Sequence, residues 1–393
     1  ITSRKPSRLS KHYYLDADGN LHKQPGGALV NGRVEPLDVD GLDGFVELLQ
    51  ALTPAQALTY GGPPVAADVT TKQEHGRLGQ PASPIPRARS HFPYQPQPGV
   101  LLLDYDPADD GDALDRDALV AAIRYAAPAL ADVRMVWWPS GSSHVVNGDT
   151  GEDLTGLRGQ RIYIAVADAR DIPRAGQALV DRLWLADYGR FEVSKSGALL
   201  ERTLIDATVW QGERLDFAAG ASTAPPLRQE RGQPVILDGN TDNLDTATDL
   251  PDLSAEDRAR VDTAKATARA ANKGDADAQR NQWVEERVAE LTGTDATDDA
   301  KRAARETVVR AVDHQVLAGD FKVQVSTSGG MQEVAVGTIL DDPARWHGQL
   351  TYDPLEPDYD GGRPVGKLYV MGARPTLSSF AHGGCTFKLM RAP

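Results

Sequence analysis

Leu101-Leu102-Leu103-Asp104-Tyr105-Asp106-Pro107 is an apolar run that ends in two alternating carboxylates. Side chains alternate across a strand, so a strand here turns Asp104 and Asp106 to one face and Tyr105 to the other. Two adjacent carboxylates repel unless a positive charge lies between them, and a hard divalent cation such as Mg2+ or Mn2+ meets that need. Asp206, in Leu204-Ile205-Asp206-Ala207, supplies a third carboxylate if its apolar surroundings form a neighbouring strand. One or two metals held this way clamp the attacking and leaving oxygens of a phosphoryl transfer. The plain alternative is the polar end of a buried strand entering an Asp- and Gly-rich loop, residues 108–117.

Strands and helices alternate on either side of this run, which predicts a mixed α/β (α+β) domain. Strands are expected at 100–105, 133–138, 161–167, 191–193 and 204–210, with helices at 116–127 and at 172–184, the latter started near Pro173. Before them, a hairpin-like turn at 16–20 precedes an amphipathic helix at 42–52 with Leu48, Leu49 and Leu52 among its apolar positions. Residues 71–97, rich in Pro, Arg and His, read as an extended loop. After them, Pro225, Pro226 and Pro234 lead into a polar stretch at 236–253 that reads as a linker. Ser254 with Asp257 resembles a capping box, and Ala-rich helices follow to about residue 317, broken at Gly274 and Gly293. Residues 319–393 return to strand-and-turn character. The expected division is a catalytic domain at 1–235, the linker at 236–253, a helical segment at 254–318 and a small β-rich C-terminal module at 319–393.

At 393 residues the chain can bury a large core, and 40% hydrophobic with 25% charged residues is an ordinary globular composition. No apolar stretch reaches the length of a membrane span and no signal peptide marks the N-terminus, so no membrane partner and a cytoplasmic location are expected. The single cysteine, Cys385, excludes an intramolecular disulfide and any zinc site built on several thiolates. A net charge of -14 argues against nonspecific binding to phosphates. Much of the acid, however, lies after Asp106 and between residues 238 and 257. Between these stretches run Arg158, Arg161, Arg190, Lys195, Arg202, Arg214, Arg228 and Arg231, which leaves room for a basic groove.

Past Trp137 and Trp138 come Ser140-Gly141-Ser142-Ser143-His144 and then Gly159-Gln160-Arg161-Ile162. Small residues let backbone approach a polyanion, and hydroxyls with an imidazole can bond phosphate oxygens. The order Asp-x-Asp, Ser-x-His, apolar-Asp-apolar resembles the core of the archaeo-eukaryotic primase superfamily, at Asp104/Asp106, Ser142/His144 and Asp206. The likeness extends to primase-polymerases of phages, plasmids and integrated mobile elements, through Lys195-Ser196-Gly197, the segments 201–206 and 213–218, and, near the C-terminus, His347-Gly348, the segment 353–357 and the segment 379–384. The chain departs from many relatives in lacking a Cys/His zinc element.

The resemblance implies a primase-polymerase core with a mixed sheet and an RRM-like catalytic half, at the N-terminal end of a primase-helicase whose helicase domain would follow. It implies a nucleotidyltransferase, a DNA primase and DNA polymerase of DNA replication, that makes and extends short primers from NTPs or dNTPs on a single-stranded DNA template by two-metal chemistry. Asp104, Asp106 and Asp206 would be the catalytic and metal-binding residues, with magnesium or manganese as cofactor. Ser142, His144, Lys195 and Arg202 would contact the nucleotide. Arg202 stands an even offset before Asp206 and shares its face if one strand runs through both. Arg87, Arg89 and Arg214 would line the DNA-binding path, and Trp137 or Trp138 could stack on bases. Two readings compete with this one: a metal-dependent nucleotide-sugar glycosyltransferase, which uses Asp-x-Asp alone, and a noncatalytic DNA-binding replication protein.

Overall fold

The computed structural model describes all residues other than 5–8, 27–28, 108–112, 294–295, 328, 382–383 and 392–393. Part of the expected Asp-rich loop and part of the 379–384 segment lie outside the described residues. The fold is mixed α/β. It divides into two compact units, Ile1–Arg190 with Arg202–Lys265, and Phe191–Glu201 with Ala266–Pro393.

The first unit is built on a four-stranded antiparallel sheet in the order Val235–Leu237, Met135–Pro139, Gln160–Val166, Gly99–Tyr105. Arg161 pairs with Asp104 on one side and Trp138 on the other, so all three project from the same face. The opposite face carries Leu101, Leu103, Ile162 and Ile164, each no more than 1% exposed. Among the helices of this unit are Arg116–Ala126 and Ile172–Leu185. Arg116–Ala126 starts where the Asp115 side chain accepts the Ala118 N–H at 2.7 Å. Ile172–Leu185 tolerates Pro173 in its first turn, where the missing N–H has no helical partner to lose. At Gly99 an added Cβ would stand 2.6 Å from Ala169 Cβ, so the chain entering that helix sits directly against the sheet. The Asp104 face is covered in part by the helix Gly41–Ala51. Its buried stripe is Leu42, Phe45 and Leu49, and the Phe45 ring meets Tyr163 edge-on at 5.2 Å. Smaller sheets surround this core: Thr2–Ser3, Asn31–Val34, Ala67–Thr70 and Ile85–Pro86 form one, and the hairpin His12–Leu15/Leu21–Gln24 joins another.

The stretch expected as a linker is part of this unit. Val235–Leu237 is a strand of the central sheet, Leu244 exchanges backbone hydrogen bonds with 165 and 167, and Leu244 and Leu250 are fully buried. Pro-rich sequence beside it signals a turn, but apolar residues at 235–237, 244 and 250 supply enough burial to dock the chain. Accordingly, a protein ended at Pro234 is expected not to give a stable monomer. It loses a strand and two core leucines, each worth about 1.5–3 kcal/mol, and size-exclusion chromatography with urea denaturation reads the outcome.

The second unit carries a seven-stranded sheet in the order Val316–Leu317, Cys385–Leu389, Thr376–Ser379, Gly366–Tyr369, Leu350–Thr351, Lys322–Thr327, Gly330–Ala335. Its core includes Phe321, Val323, Val325, Trp346, Leu368 and Phe387. The helices Lys273–Thr292 and Asp298–His314 pack through Trp283, Val284, Val288 and Val308. The first helical break falls at Asn272 rather than Gly274, which lies inside the helix. The boundary between the two units falls within the helix Ala255–Ala271. No helix among the described residues is long and apolar enough to cross a membrane.

Candidate active site

Asp104 is the next-to-last residue of an edge strand, and its environment is unusual for a carboxylate. Its side chain is about one-fifth exposed, with Arg161 Nε 3.7 Å away. Burial pushes its pKa up to about 7, opposed by Arg161 and reinforced by Asp106, Asp216 and Asp206. Four carboxylates therefore share one electrostatic neighbourhood. Only three of them stand out in the sequence.

Asp206 reaches this neighbourhood by a route other than the expected one. The strand before it ends at Arg202, and residues 203–210 form an irregular segment, not a strand completing the sheet. Paired with Gln160–Val166 on one side only, the edge strand leaves the carbonyls of 102 and 104 pointing outward. The irregular segment takes both: Asp206 N–H donates to Asp104 O at 2.9 Å, and Trp210 Nε1 donates to Leu102 O at 2.8 Å. Trp210 in turn fills the space over Gly176, where an added Cβ would stand 2.3 Å from the indole. The Asp206 carboxylate accepts from Thr208 N at 2.8 Å and Thr208 Oγ1 at 2.9 Å, with Arg214 Nη2 at 3.3 Å. Since no strand runs from Arg202 to Asp206, the expected shared face does not exist.

The fourth carboxylate, Asp216, is 4% exposed. Arg161 Nη1 stands 3.0 Å from it, and the hydroxyls of Tyr60 and Tyr163 donate to it at 2.6 and 3.2 Å. Burial and then Asp216 hold both phenols well above their usual pKa, so they remain donors. Arg161 also donates to Phe217 O at 3.1 Å. Between Asp104 and this cluster lies a cavity of about 310 Å³ lined by Arg87, Asp104, Arg161 and Arg214 with Leu102, Val209, Leu215 and Phe217. The Nε atoms of Arg87 and Arg161 are buried without a hydrogen-bond partner.

Asp106 lies just beyond the strand and is exposed. Its Oδ1 would stand 2.6 Å from a Cβ on Gly159, and Ser140 Oγ and Ser142 Oγ would stand 2.5 and 3.2 Å from the same point. Asp106 and Ser142 thus converge over a glycine, and Ser140 and Ser142 hydroxyls lie 2.8 Å apart. Lys11 is close by. Crowding by protein atoms lowers its pKa, and Asp106 is the main group holding it up. His144 adopts φ +53 with Nδ1 2.7 Å from Asp153 Oδ2, a pairing that anchors the ring locally.

The remaining expected contacts are distributed differently. Lys195 belongs to the second unit and is ion-paired with Asp358. Arg202 ends the strand Leu199–Arg202 and is exposed. Arg89 sits in an exposed turn, whereas Arg87 and Arg214 line the cavity, with Arg87 also donating to Glu213 O at 2.8 Å. Trp138 is buried beneath the Arg231 guanidinium, 3.4 Å from its ring centroid, and the half-buried Trp137 donates to Gln160 Oε1 at 2.7 Å.

Among the described residues, no three His, Cys, Asp or Glu side chains are arranged as a ready metal cluster. The donor set still suits a hard cation, because Asp104, Asp106 and Asp206 offer carboxylate oxygens in one electrostatic neighbourhood. In the sequence Arg161 reads as a strand start and as one of the basic residues between two acidic stretches, and Asp216 only as part of a recurring phrase. The signal for Arg161 is a charge within an otherwise apolar strand, which needs a buried partner. No family model, curated protein or solved structure matches the chain.

Proposed function

We propose that the chain is a primase-polymerase that joins nucleotides on a single-stranded DNA template, with Mg2+ or Mn2+ held by Asp104, Asp106 and Asp206. The observation that carries this reading is the crowding of carboxylates around Asp104 beside a cavity walled by guanidinium groups. When bound, divalent ions would supply activation of a 3′-hydroxyl and neutralisation of phosphoryl charge. The chain's own residues do the rest. Asp206 is held in one orientation by Thr208. The partnerless Nε of Arg87 offers a donor to phosphoryl oxygens, and Arg214 adds positive charge on the same wall. Ser142, placed beside Asp106 over Gly159, offers a hydroxyl to the same polyanion. Fold membership in the archaeo-eukaryotic primase superfamily, and a helicase domain in the same polypeptide, belong to this proposal.

The test is primer synthesis and extension with separate NTP and dNTP pools. Asp106→Ala, at an exposed position, should lose incorporation by on the order of a hundredfold or more while its melting temperature holds. Wild-type protein that incorporates neither pool, or a variant that incorporates normally, would sink the proposal. Gly159→Ala gives a graded check. Its methyl would collide with both Ser140 Oγ and Asp106 Oδ1, so incorporation should fall at least several-fold with little change in urea midpoint.

A further inference from the structure

Each strand of the seven-stranded sheet in the second unit buries one set of side chains and turns the other outward. Val323, Val325, Leu368, Leu377 and Phe387, each no more than 1% exposed, form the covered face. The register places the intervening residues side by side in a row: Met331 beside Ser326, then Leu350, Lys367, Ser378 and Thr386. Tyr369, Thr376 and Lys388 make a second row. Every exposed large apolar side chain described in this unit follows the outward alternation. Met331, Leu350 and Tyr369 do so within strands, and Met371, Phe380 and Met390 within two residues of a strand end. Such residues scattered singly need no explanation, but grouped on one sheet face they mark a binding surface.

Charge narrows the partner. Lys322, Lys367 and Lys388 stand at outward strand positions against one outward carboxylate, Glu333, which Lys322 pairs at 2.8 Å. In a chain of net charge -14 this is a local reversal of sign. Tyr369, 42% exposed, is set edge-on against His347 at 6.2 Å, and that imidazole is fixed because its Nδ1 accepts the N–H groups of Val370 and Met371, each at 3.1 Å. The Lys367 ammonium lies 5.4 Å from the same ring. Phe380 is 70% exposed, with its backbone N–H tied to Val365 O at 2.8 Å. Rings held on a sheet beside ammonium and hydroxyl groups meet both demands of a single nucleic-acid strand, stacking for its bases and donors for its phosphates. We propose that the outward face of this sheet binds single-stranded DNA, with bases on Tyr369 and Phe380 and phosphates on Lys367, Lys388 and the hydroxyls of Thr376 and Ser378. The choice of DNA rests on the polymerase reading, but the surface belongs to the second unit alone and uses none of the carboxylates around Asp104.

Fluorescence anisotropy of a short labelled oligothymidylate, titrated with the full chain in EDTA and without nucleotide, tests it. Tyr369→Ala combined with Phe380→Ala should weaken binding by roughly tenfold or more. Lys367→Gln combined with Lys388→Gln should weaken it and flatten its dependence on salt concentration. Tyr125→Ala, which removes an exposed aromatic from the first unit, should leave the affinity unchanged. If the aromatic pair of substitutions prevents folding, the lysine pair carries the test. No binding by wild type, unchanged affinity in the aromatic variant, or equal affinity for a duplex of the same length would overturn the inference. So would loss of self-association in the aromatic variant with DNA binding intact, which would make the face a contact between copies of the chain. Binding through this face by a chain that incorporates no nucleotide would uphold the surface and refute only the polymerase reading. Incorporation by wild type with normal binding in the aromatic variant would refute only the surface.

Discussion

Asp216→Ala is expected to destabilise the first unit by about 3–5 kcal/mol, the cost of leaving a buried charge without its partner. Asp216 receives the Arg161 guanidinium and two phenolic hydroxyls in a site only 4% exposed. With the carboxylate gone, Arg161 keeps Asp104 at 3.7 Å as its remaining acidic neighbour, and Tyr60 and Tyr163 lose their acceptor. Urea denaturation followed by fluorescence measures the loss. A decrease below about 1 kcal/mol would show that the cluster tolerates an open charge. The same variant would release Arg161 toward Asp104 and draw the Asp104 pKa down.

Asp104→Asn should have the opposite sign: a protein more stable than wild type above neutral pH when divalent ions are removed. The folded Asp104 carboxyl titrates at about 7, against an ordinary value of 3.8. The native state therefore holds a proton that the unfolded chain has released. Stability linked to that proton is fully present below the unfolded pKa and is lost as pH rises through about 7. A rise of this size corresponds to about 4 kcal/mol at most, and partial exposure with relaxation of neighbours reduces this to about 1–3 kcal/mol. The amide does not titrate, so the stability difference between variant and wild type, measured by urea at pH 5 and pH 8 in EDTA, should widen by that amount. A difference independent of pH would contradict the raised pKa. Millimolar Mn2+ should raise the wild-type melting temperature at pH 8 and leave Asp104→Asn unmoved, because a ligand bound only by the folded state stabilises it. Stability given up for a buried carboxylate is the usual cost of a site built for a ligand.

Local signals in the sequence account for most of the regular structure. Buried runs such as 101–105 and 162–164, the proline at 173 and the apolar spacing of 42–51 act over a few residues, and the strands and helices there lie within two residues of expectation. The departures have a common cause. Leu204-Ile205-Asp206 is apolar enough for a strand, but Trp210 and the outward carbonyls of 102 and 104 offer it a different set of partners. Residues 235–250 look solvated because four aspartates with Asn, Thr and Gly separate the apolar residues, yet the buried Leu244 and Leu250 dock them. For the site, Asp104, Asp106 and Asp206 are visible as residue types. Asp216 and Arg161 are not, because their pairing across 55 residues is a product of register and topology. Nor do the neighbours of Lys195 in the sequence show that its hairpin folds with residues 160 positions later.

The way residues 203–210 take up the carbonyls of 102 and 104 also bears on self-association. An unprotected border strand with a Val-Leu-Leu-Leu sequence is a template for recruiting another chain. Here its outward acceptors at 102 and 104 are occupied, and the bend at Asp206 denies a newcomer a straight stretch to pair with. The segment that delivers the third aspartate therefore guards an apolar edge strand, and changes that loosen it should cost solubility as well as any chemistry.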